Sequence, residues 1–204
     1  MSIRYPVAGI GRLRMGNDGP GIRTLVIMNG CPLRCKYCIN PFTWDGSKNP
    51  KMLSAVELYE KIIIDRLYIL ATNGGITFGG GEPLLYPELV KEIRSICESE
   101  MTIYLETSLN VEWESIKSVI DSVDCFYVDI KSMDGQIYKD YTEGNLEVSV
   151  TNLKKLIAAK GAEHIVVRIP EIPGFVSKEK QRQAKEILSD MGVKKFNLFK
   201  YETI

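Results

Sequence analysis

The sequence predicts an α/β protein whose parallel strands and connecting helices form an open, partial (βα)6 barrel of TIM-like type. Apolar runs rich in β-branched residues alternate along the chain with segments of helical periodicity. The strand candidates are almost continuously apolar, as expected where both faces of a parallel sheet are covered. Six strands with five helices between them favour an open sheet over a closed eight-stranded barrel.

The predicted elements follow one another in a regular order. The strand candidates are residues 24–29, 75–79, 102–107, 125–131, 164–170 and 195–201, and the helix candidates are 54–70, 87–99, 112–121, 148–160 and 177–191. Ser54 and Ser177 are predicted N-caps, and Glu57 stands three residues after Ser54, where it would complete a capping box. Strand–helix alternation implies right-handed crossovers, which place all strand carboxyl ends at one rim.

Length and composition indicate a single domain over residues 1–204 of an ordinary globular protein. The 26 Lys and Arg residues balance the 26 Asp and Glu residues, so net charge gives no reason to expect a nucleic acid or an acidic membrane as partner. The N-terminal sequence lacks a signal-peptide pattern, and no stretch is apolar enough to span a membrane. We therefore expect a cytoplasmic protein with reduced cysteines.

Most of the unusual features follow directly after predicted strands. A cysteine loop follows the first strand, "GGGEP" the second, "ETSLN" ends the third, "DIK" the fourth and "RIPEIPG" the fifth. Reactive groups gather at the carboxyl ends of strands in such sheets. The sequence thus predicts one site, at this rim.

The cysteine loop has the spacing C-x3-C-x2-C, formed by Cys31, Cys35 and Cys38. Three thiolates on a short loop can bind three corners of a [4Fe–4S] cluster and leave the fourth iron open. A structural zinc site is the alternative, but it needs a fourth ligand, and the only histidine, His164, lies on a distant strand candidate. Cys97 or Cys125, outside the loop, would serve only if the fold brought one of them there.

With Tyr37 directly before the last cysteine, the loop resembles the signature of the radical S-adenosylmethionine (SAM) superfamily. The fold of that superfamily is the partial (βα)6 barrel predicted above. The resemblance implies that SAM chelates the open iron through its amino and carboxylate groups. The reduced cluster then breaks the C5′–S bond of SAM, and the 5′-deoxyadenosyl radical abstracts hydrogen from a C–H bond.

Two further motifs match the superfamily at the same rim. "FGGGEPLL" supplies Gly80, Gly81 and Glu82, where glycines permit close backbone approach and the carboxylate can accept hydrogen bonds from the ammonium of SAM. "YVDIKSM" supplies Lys131 for the methionine carboxylate and Asp129 for a monovalent cation or the SAM amino group. A plain glycine turn and an exposed ion pair are the structural alternatives.

The segments "VRIPEIPGFVS" and "LETS" complete the resemblance. The resemblance implies that Arg168 faces the SAM carboxylate or ribose. The same residues are also compatible with a strand and a proline turn that have no role in binding. Thr107 lies between Glu106 and Ser108, where relatives carry Asp-Thr-Asn or similar residues. Because Glu106 is one methylene longer than that aspartate, a contact to a cation or a ribose is not carried over directly.

The pieces "DGPGIR", "GCPLRC" and "NPFTWD" resemble the activating enzymes of glycyl radical enzymes, and this likeness extends from Asp18 to about residue 202. No second cysteine group lies between Cys38 and Gly80, which favours the single-cluster branches, those of pyruvate formate-lyase and of anaerobic ribonucleotide reductase; the "DIK" element and the six strands favour the former. The resemblance implies a glycyl radical enzyme as protein substrate, a flavodoxin or ferredoxin-type reductant, and a role for Asp18 in admitting the substrate backbone. Tyr201 departs from it, since relatives carry a histidine there.

Two other functions stay open at this point. One is a radical SAM enzyme that acts on a different peptide or on a small molecule. The other is a non-catalytic module that binds an iron–sulfur cluster or zinc. No acid–base or nucleophile constellation is evident, so no catalytic side chain is predicted, and the cofactor would carry the chemistry.

Overall fold

The computed structural model describes residues 3–45 and 49–201, so the predicted end of the family resemblance at about residue 202 lies outside the described residues. One sheet of eight strands runs through this part of the chain, in the order β3-β1-β2-β4-β5-β6-β7-β8. The strands are β1 (Tyr5–Met15), β2 (Ile22–Met28), β3 (Lys51–Leu53), β4 (Gly75–Gly80), β5 (Thr102–Thr107), β6 (Cys125–Asp129), β7 (Ile165–Glu171) and β8 (Lys195–Lys200).

The six predicted strands are confirmed as β2 and β4 to β8. They pair in parallel and in chain order, and the sheet stays open, so the predicted partial barrel is confirmed. Their bounds agree with the predicted ones to within two residues. Apolar β-branched runs located β2 and β4 to β7, because at least one face of each of these strands packs into the buried core.

Strands β1 and β3 are additions that the sequence did not predict. Both are antiparallel, with β1 pairing to β2 on one side and to β3 on the other. The register of β1 shifts between Val7 and Gly9 and again between Gly11 and Arg14. These bulges, together with the glycines, break the alternation of apolar and polar residues on which strand prediction depends.

The helices are α1 (Phe42–Asp45), α2 (Ala55–Ile62), α3 (Arg66–Ala71), α4 (Pro87–Ile96), α5 (Trp113–Lys117), α6 (Gly135–Thr142), α7 (Leu146–Lys160) and α8 (Lys178–Asp190). The predicted helix 54–70 is divided by a 3-10 turn at Ile63–Asp65, and α6 was not predicted. Ser54 caps α2 with a complete capping box and Ser177 caps α8, as predicted. No helix among the described residues is long and apolar enough to cross a membrane.

The two faces of the sheet differ in chemistry. The helix-covered face is an apolar core that includes Val26, Ile76, Phe78, Ile103, Leu105, Phe126, Val128 and Val167, all fully buried. Successive side chains of a strand point to opposite faces. The inner face of the half-barrel therefore carries the alternate residues, among them Arg23, Thr77, Tyr104, Glu106, Tyr127, Asp129 and Arg168.

A buried arginine closes the amino-terminal end of this inner face. The Arg23 guanidinium donates to Thr77 Oγ1 at 2.7 Å, to Thr102 Oγ1 at 2.8 Å and to the Ile76 carbonyl at 2.8 Å. It stacks 3.9 Å from the ring centroid of Tyr104. Burial lowers the pKa of Arg23 to about 10. This end of the half-barrel is therefore filled by protein, and a site can form only at the other end.

Candidate functional site

The cysteine loop lies at the carboxyl end of β2, as predicted. Cys31, Cys35 and Cys38 are partly exposed free thiols. The loop is fixed by its backbone, since the amides of Arg34 and Lys36 donate to the carbonyls at the end of α6, at 2.7 and 3.0 Å. The loop conformation is therefore set by a helix that the sequence did not reveal.

The thiols of the loop are neutral in the absence of a metal. Burial and, to a smaller extent, the charge of Glu82 raise the pKa of Cys31 to about 12. Burial also raises the pKa of Cys35 to about 11 and the pKa of Cys38, while the positive charge of Lys131 opposes both shifts. Because metal ligation requires thiolates, a bound metal must displace these protons.

The donor set fits an iron–sulfur cluster better than a single metal ion. No group of three or more His, Cys, Asp or Glu side chains in residues 3–45 and 49–201 is arranged to hold one ion. A cubane cluster is larger than an ion and takes each thiolate at a separate iron. No further Cys or His among the described residues stands at the rim as a fourth zinc ligand. Cys125 begins β6 at the opposite end, Cys97 ends α4, and the exposed His164 is next to the Asp124 carbonyl.

The glycines of "GGGEP" bring this turn against the cysteine loop. Gly80 has φ +82 and stands where a Cβ would overlap the side chain of Ile27. A Cβ on Gly81 would overlap the Gly30 carbonyl and would lie 2.6 Å from the Met28 carbonyl. Only glycine permits this conformation and this approach. The glycines thus join the ends of β4 and β2 closely.

The Glu82 carboxylate points into the protein and not toward the open rim. It is 1% exposed, and its Oε2 accepts from the Ser108 amide at 3.0 Å and the Ser108 hydroxyl at 2.8 Å. Its Oε1 accepts from the Leu84 amide at 3.3 Å. Burial raises the pKa of Glu82, whereas hydrogen bonds from Ser108 and neighbours lower it. The structure thus connects Glu82 to the loop after β5.

Glu106 and Thr107 lie on opposite faces of β5. Thr107 is aligned with the core residue Val128 and is buried, and its hydroxyl accepts from the Leu109 amide at 2.9 Å. Glu106 lies on the inner face beside Arg168. The structure thus brings Glu106 to Arg168 on the inner face, whereas the Thr107 hydroxyl lies beside the buried Glu82 and helps to lower its pKa.

A chain of alternating charges crosses the inner face below the rim. Arg168 binds Glu106 Oε1 through Nη1 at 2.7 Å and Asp129 Oδ1 through Nε at 2.7 Å. Lys131 Nζ lies 3.1 Å from Asp129 Oδ2. These four side chains are between 9% and 19% exposed, so water screens them weakly. Asp129, Lys131 and Arg168 were predicted together, and the structure places them together.

The charges of this chain control each other's protonation. Burial opposes ionisation of Asp129, but Arg168 and Lys131 outweigh it and lower the pKa of Asp129 to about 2. Burial likewise disfavours the charged forms of Lys131 and Arg168, yet the carboxylates hold the pKa of each above its usual value. For Glu106, burial outweighs the Arg168 charge and raises the pKa.

An aromatic group borders the cysteine loop. The rings of Tyr37, Tyr141 and Phe175 pack edge to face, with centroids 5.1 to 6.0 Å apart. Tyr201 lies 5.9 Å from Lys131 Nζ, measured to its ring centroid. The buried Tyr141 hydroxyl has no hydrogen-bond partner among the described residues. Tyr141 and Phe175 were not predicted as site residues, because α6 carries no recognisable motif and, in the segment "VRIPEIPGFVS", only the Arg168 side chain was assigned a role.

Asp18 lies away from the rim. Its carboxylate accepts from Arg14 Nε at 2.5 Å, and its carbonyl accepts from the Thr77 hydroxyl at 2.8 Å. Gly19 beside it has φ +128, and a Cβ there would lie 2.7 Å from the ring of Tyr104. The "DGPG" segment therefore packs on the inner face near Arg23 and forms the floor of the half-barrel.

Comparison with known proteins gives a consistent result. The sequence profile of the Radical SAM superfamily matches residues 25–182. The pyruvate formate-lyase-activating enzyme of Clostridium pasteurianum is 33% identical over 189 aligned positions, covering 92% of this chain and 78% of that protein. The (2S)-3-sulfopropanediol dehydratase activating enzyme of Klebsiella oxytoca is 31% identical over 218 aligned positions, covering 77% and 68% respectively.

A solved structure supports the fold alone. Streptococcus suis SuiB bound to precursor peptide SuiA superposes with a TM-score of 0.66 at 12% identity, covering 87% of this chain and 38% of that chain. The agreement concerns the sheet and its helices.

Proposed function

The chain belongs to the radical SAM superfamily and, within it, to the activating enzymes of glycyl radical enzymes, and we propose that it installs a glycyl radical on a partner enzyme. When bound, a [4Fe–4S] cluster and SAM supply the reductive cleavage of SAM and the abstraction of hydrogen from the Cα of a glycine. The relatives named above activate pyruvate formate-lyase and (2S)-3-sulfopropanediol dehydratase, respectively. A pyruvate formate-lyase-like partner is the proposal for this chain.

We propose that Cys31, Cys35 and Cys38 hold the cluster. The observation that carries this assignment is the position of three free thiols on one rigid loop at the same rim as the charge chain. The Lys131 charge favours the thiolate forms of Cys35 and Cys38, which a cluster requires. Lys131 would thus offset part of the negative charge of a thiolate-bound cluster.

The charged and aromatic side chains of the rim are the proposed SAM site. Among the described residues, the Lys131 ammonium donates one hydrogen bond, to Asp129. Its other N–H groups can donate to the carboxylate of the methionine part of SAM. Asp129 and Arg168 hold it in position, and Arg168 can face a carboxylate or a ribose. Tyr37 with its aromatic neighbours offers flat apolar surface beside the loop.

Gly80, Gly81, Glu82 and Thr107 support the SAM site in a different way. We propose that the two glycines offer backbone groups to the cofactor, since a Cβ on either would collide with β2 or the cysteine loop and push the turn away from the rim. Glu82 and Thr107 are buried and engaged by the chain itself. We propose that they shape the SAM site by fixing the turns that border it.

A monovalent cation is a separate proposal, and Glu106 is the residue through which it would bind. Both oxygens of Asp129 accept hydrogen bonds from Arg168, and Lys131 adds a third. In contrast, Glu106 Oε1 is bound by Arg168, while no described donor reaches Oε2. A cation would therefore compete with Arg168 for Glu106 and would find Asp129 occupied.

Three further proposals concern the setting of the reaction. A flavodoxin or ferredoxin-type protein would deliver the electron, since the cysteine loop is partly exposed. A single domain, residues 1–204, would carry the activity, because the described residues share one sheet and one main core. A cytoplasmic location is the third proposal, because the proposed cluster needs cysteines that are kept reduced.

Electron paramagnetic resonance tests the proposed function directly. The protein is reconstituted with iron and sulfide without oxygen, reduced, and mixed with SAM and a candidate glycyl radical enzyme. We expect a glycyl radical signal on the partner, and none when Cys35→Ala replaces the parent protein. Cys97→Ala is the matched control, because Cys97 is a half-buried cysteine at the end of α4, away from the loop.

The outcome also separates the alternatives. Cleavage of SAM without a protein radical in any candidate partner would favour a radical SAM enzyme with another peptide or a small molecule as substrate. Failure to cleave SAM at all would leave a non-catalytic metal-binding module.

A further inference from the structure

A closed ring of buried hydrogen bonds surrounds the base of the cysteine loop. It begins at the loop itself, where the Gly30 carbonyl accepts from the Glu82 amide at 2.8 Å. The Glu82 carboxylate then accepts from both the amide and the hydroxyl of Ser108. These contacts connect the turns that follow β2, β4 and β5.

The ring continues from Ser108 into the helices. The Ser149 hydroxyl of α7 donates to the Ser108 carbonyl at 2.8 Å, so it accepts a hydrogen bond from the Tyr138 hydroxyl, 3.1 Å away. Asn110 Nδ2 also donates to the Ser149 hydroxyl, at 3.0 Å. Tyr138, Ser149 and the side chain of Glu82 are fully buried or nearly so, and all are hydrogen-bonded. Ser149 is therefore the junction between the β5 turn and α6.

The last links return to the cysteine loop. The Tyr138 carbonyl accepts from the Thr142 hydroxyl at 2.7 Å, within the last turn of α6. The carbonyls of Tyr141 and Thr142 then accept from the amides of Lys36 and Arg34, on either side of Cys35. The loop is thus held at one end by the Glu82 backbone and at the other by the end of α6.

We propose that Ser149 and Tyr138 are positioning residues for the cluster-binding loop. They are not among the proposed cluster ligands or SAM-binding residues, and they act through the Glu82–Ser108 contact on one side and through the end of α6 on the other. A buried polar network that is fully satisfied specifies one arrangement of the elements it joins. This inference rests on the proposed function only in calling the loop a cluster site, and its first test needs no cluster.

The first test is amide hydrogen exchange of the metal-free protein. Tyr138→Phe removes one hydroxyl and keeps the ring, so we expect the amides of Arg34 and Lys36 to exchange about fivefold faster, the size of one hydrogen bond's net contribution. Ser149→Ala removes three hydrogen bonds and is expected to accelerate exchange at these amides by more than fivefold. The matched control is Tyr59→Phe, since the Tyr59 hydroxyl accepts one hydrogen bond, from the Glu98 amide at 3.2 Å, on the outer helices.

The control distinguishes positioning from general stability. Tyr59→Phe is expected to leave exchange at Arg34 and Lys36 unchanged. Unchanged exchange at both amides in Tyr138→Phe would overturn the proposal, and so would an equal acceleration in the control. Tyr138→Phe decides the matter even if Ser149→Ala fails to fold.

The second test uses the reconstituted protein and measures the rate at which a chelator removes iron. We expect severalfold faster loss in Tyr138→Phe than in the parent protein and in Tyr59→Phe. Equal rates in all three would overturn the extension of the proposal to the loaded site. If none of the proteins binds a cluster, the proposed function fails, while the exchange experiment still decides whether the ring positions the loop.

Discussion

Arg23 and Arg168 are both buried on the inner face of the sheet, at its opposite ends, and their surroundings differ. The described partners of the Arg23 guanidinium are hydroxyls and carbonyls, and burial lowers its pKa to about 10. Arg168 lies between two carboxylates, which raise its pKa despite burial. Burial alone therefore does not identify a functional residue. The charge of the partners distinguishes a structural arginine from the one in the proposed ligand site.

The largest expected effect is that of Arg168→Met on stability. The substitution removes the positively charged partner of Glu106 and leaves Asp129 with Lys131 as its remaining one. Removing one partner of a buried ion pair costs about 3 to 5 kcal/mol. Protonation relieves unpaired buried carboxylates, so we expect the difference from the parent to shrink as the pH falls from 7 to 4. Urea unfolding across this range measures it. A loss that does not vary with pH would contradict the electrostatic account.

Arg23→Met should destabilise the protein by a smaller amount that does not depend on pH. It leaves buried carbonyls without donors and adds a packing defect beside Tyr104, at a cost of about 2 to 3 kcal/mol. The partners of Arg23 are neutral, so the loss should be the same at pH 5 and pH 8 in the same urea experiments. A loss that followed pH as in Arg168→Met would remove the distinction between the two arginines.

The way in which the parent protein loses stability at low pH tests the charge chain without removing an arginine. The folded-state pKa of Asp129 is about 2, against about 3.9 in an unfolded chain. A lowered folded-state pKa contributes stability above pH 4 that is lost as the pH falls through 4 toward 2, here on the order of 2 kcal/mol. In Asp129→Asn this part of the pH dependence should vanish. If Asp129→Asn lost stability between pH 4 and pH 2 as the parent does, the titrating group would be another residue.

Gly144→Ala changes the packing at the carboxyl ends of the parallel strands and leaves every charge in place. A Cβ at Gly144 would overlap the side chain of Leu33, which is 2% exposed inside the cysteine loop. We expect a loss of about 1 to 2 kcal/mol in urea unfolding and a displaced loop, because overpacking forces neighbours to move. The matched control is Gly135→Ala, where a Cβ would meet nothing within 4 Å. If both variants had the same free energy of unfolding, the Leu33 side chain would be able to move aside without loss of stability, and the prediction would be wrong.

The sequence predicted the parallel strands and the position of the cysteine loop well, because both leave local signals. Continuous apolar runs mark strands such as β2, and Cys31, Cys35 and Cys38 lie within one loop. It did not predict β1, whose bulges disrupt the alternation, or α6, which is short and has no continuous apolar stripe. These missed elements supply the antiparallel edge and the carbonyls that hold the loop.

At the level of side chains, the sequence could place residues at the rim but could not tell which way they point. Thr107 and Glu106 are neighbours in a motif, yet one lies in the core and the other beside Arg168. Glu82 carries a recognisable motif, but its carboxylate is turned inward to Ser108. Such orientations depend on strand register and on contacts between turns that are far apart in the chain, which no local pattern records.

The central claim is that the carboxyl end of the half-barrel holds a cluster with one iron open to SAM. Electron paramagnetic resonance of the anaerobically reconstituted and reduced protein, recorded before and after addition of SAM, tests it most directly. We predict the signal of a reduced [4Fe–4S] cluster, with g values that shift when SAM binds. A cluster signal that SAM leaves unchanged, or protein that takes up zinc and no iron–sulfur cluster, would contradict the claim.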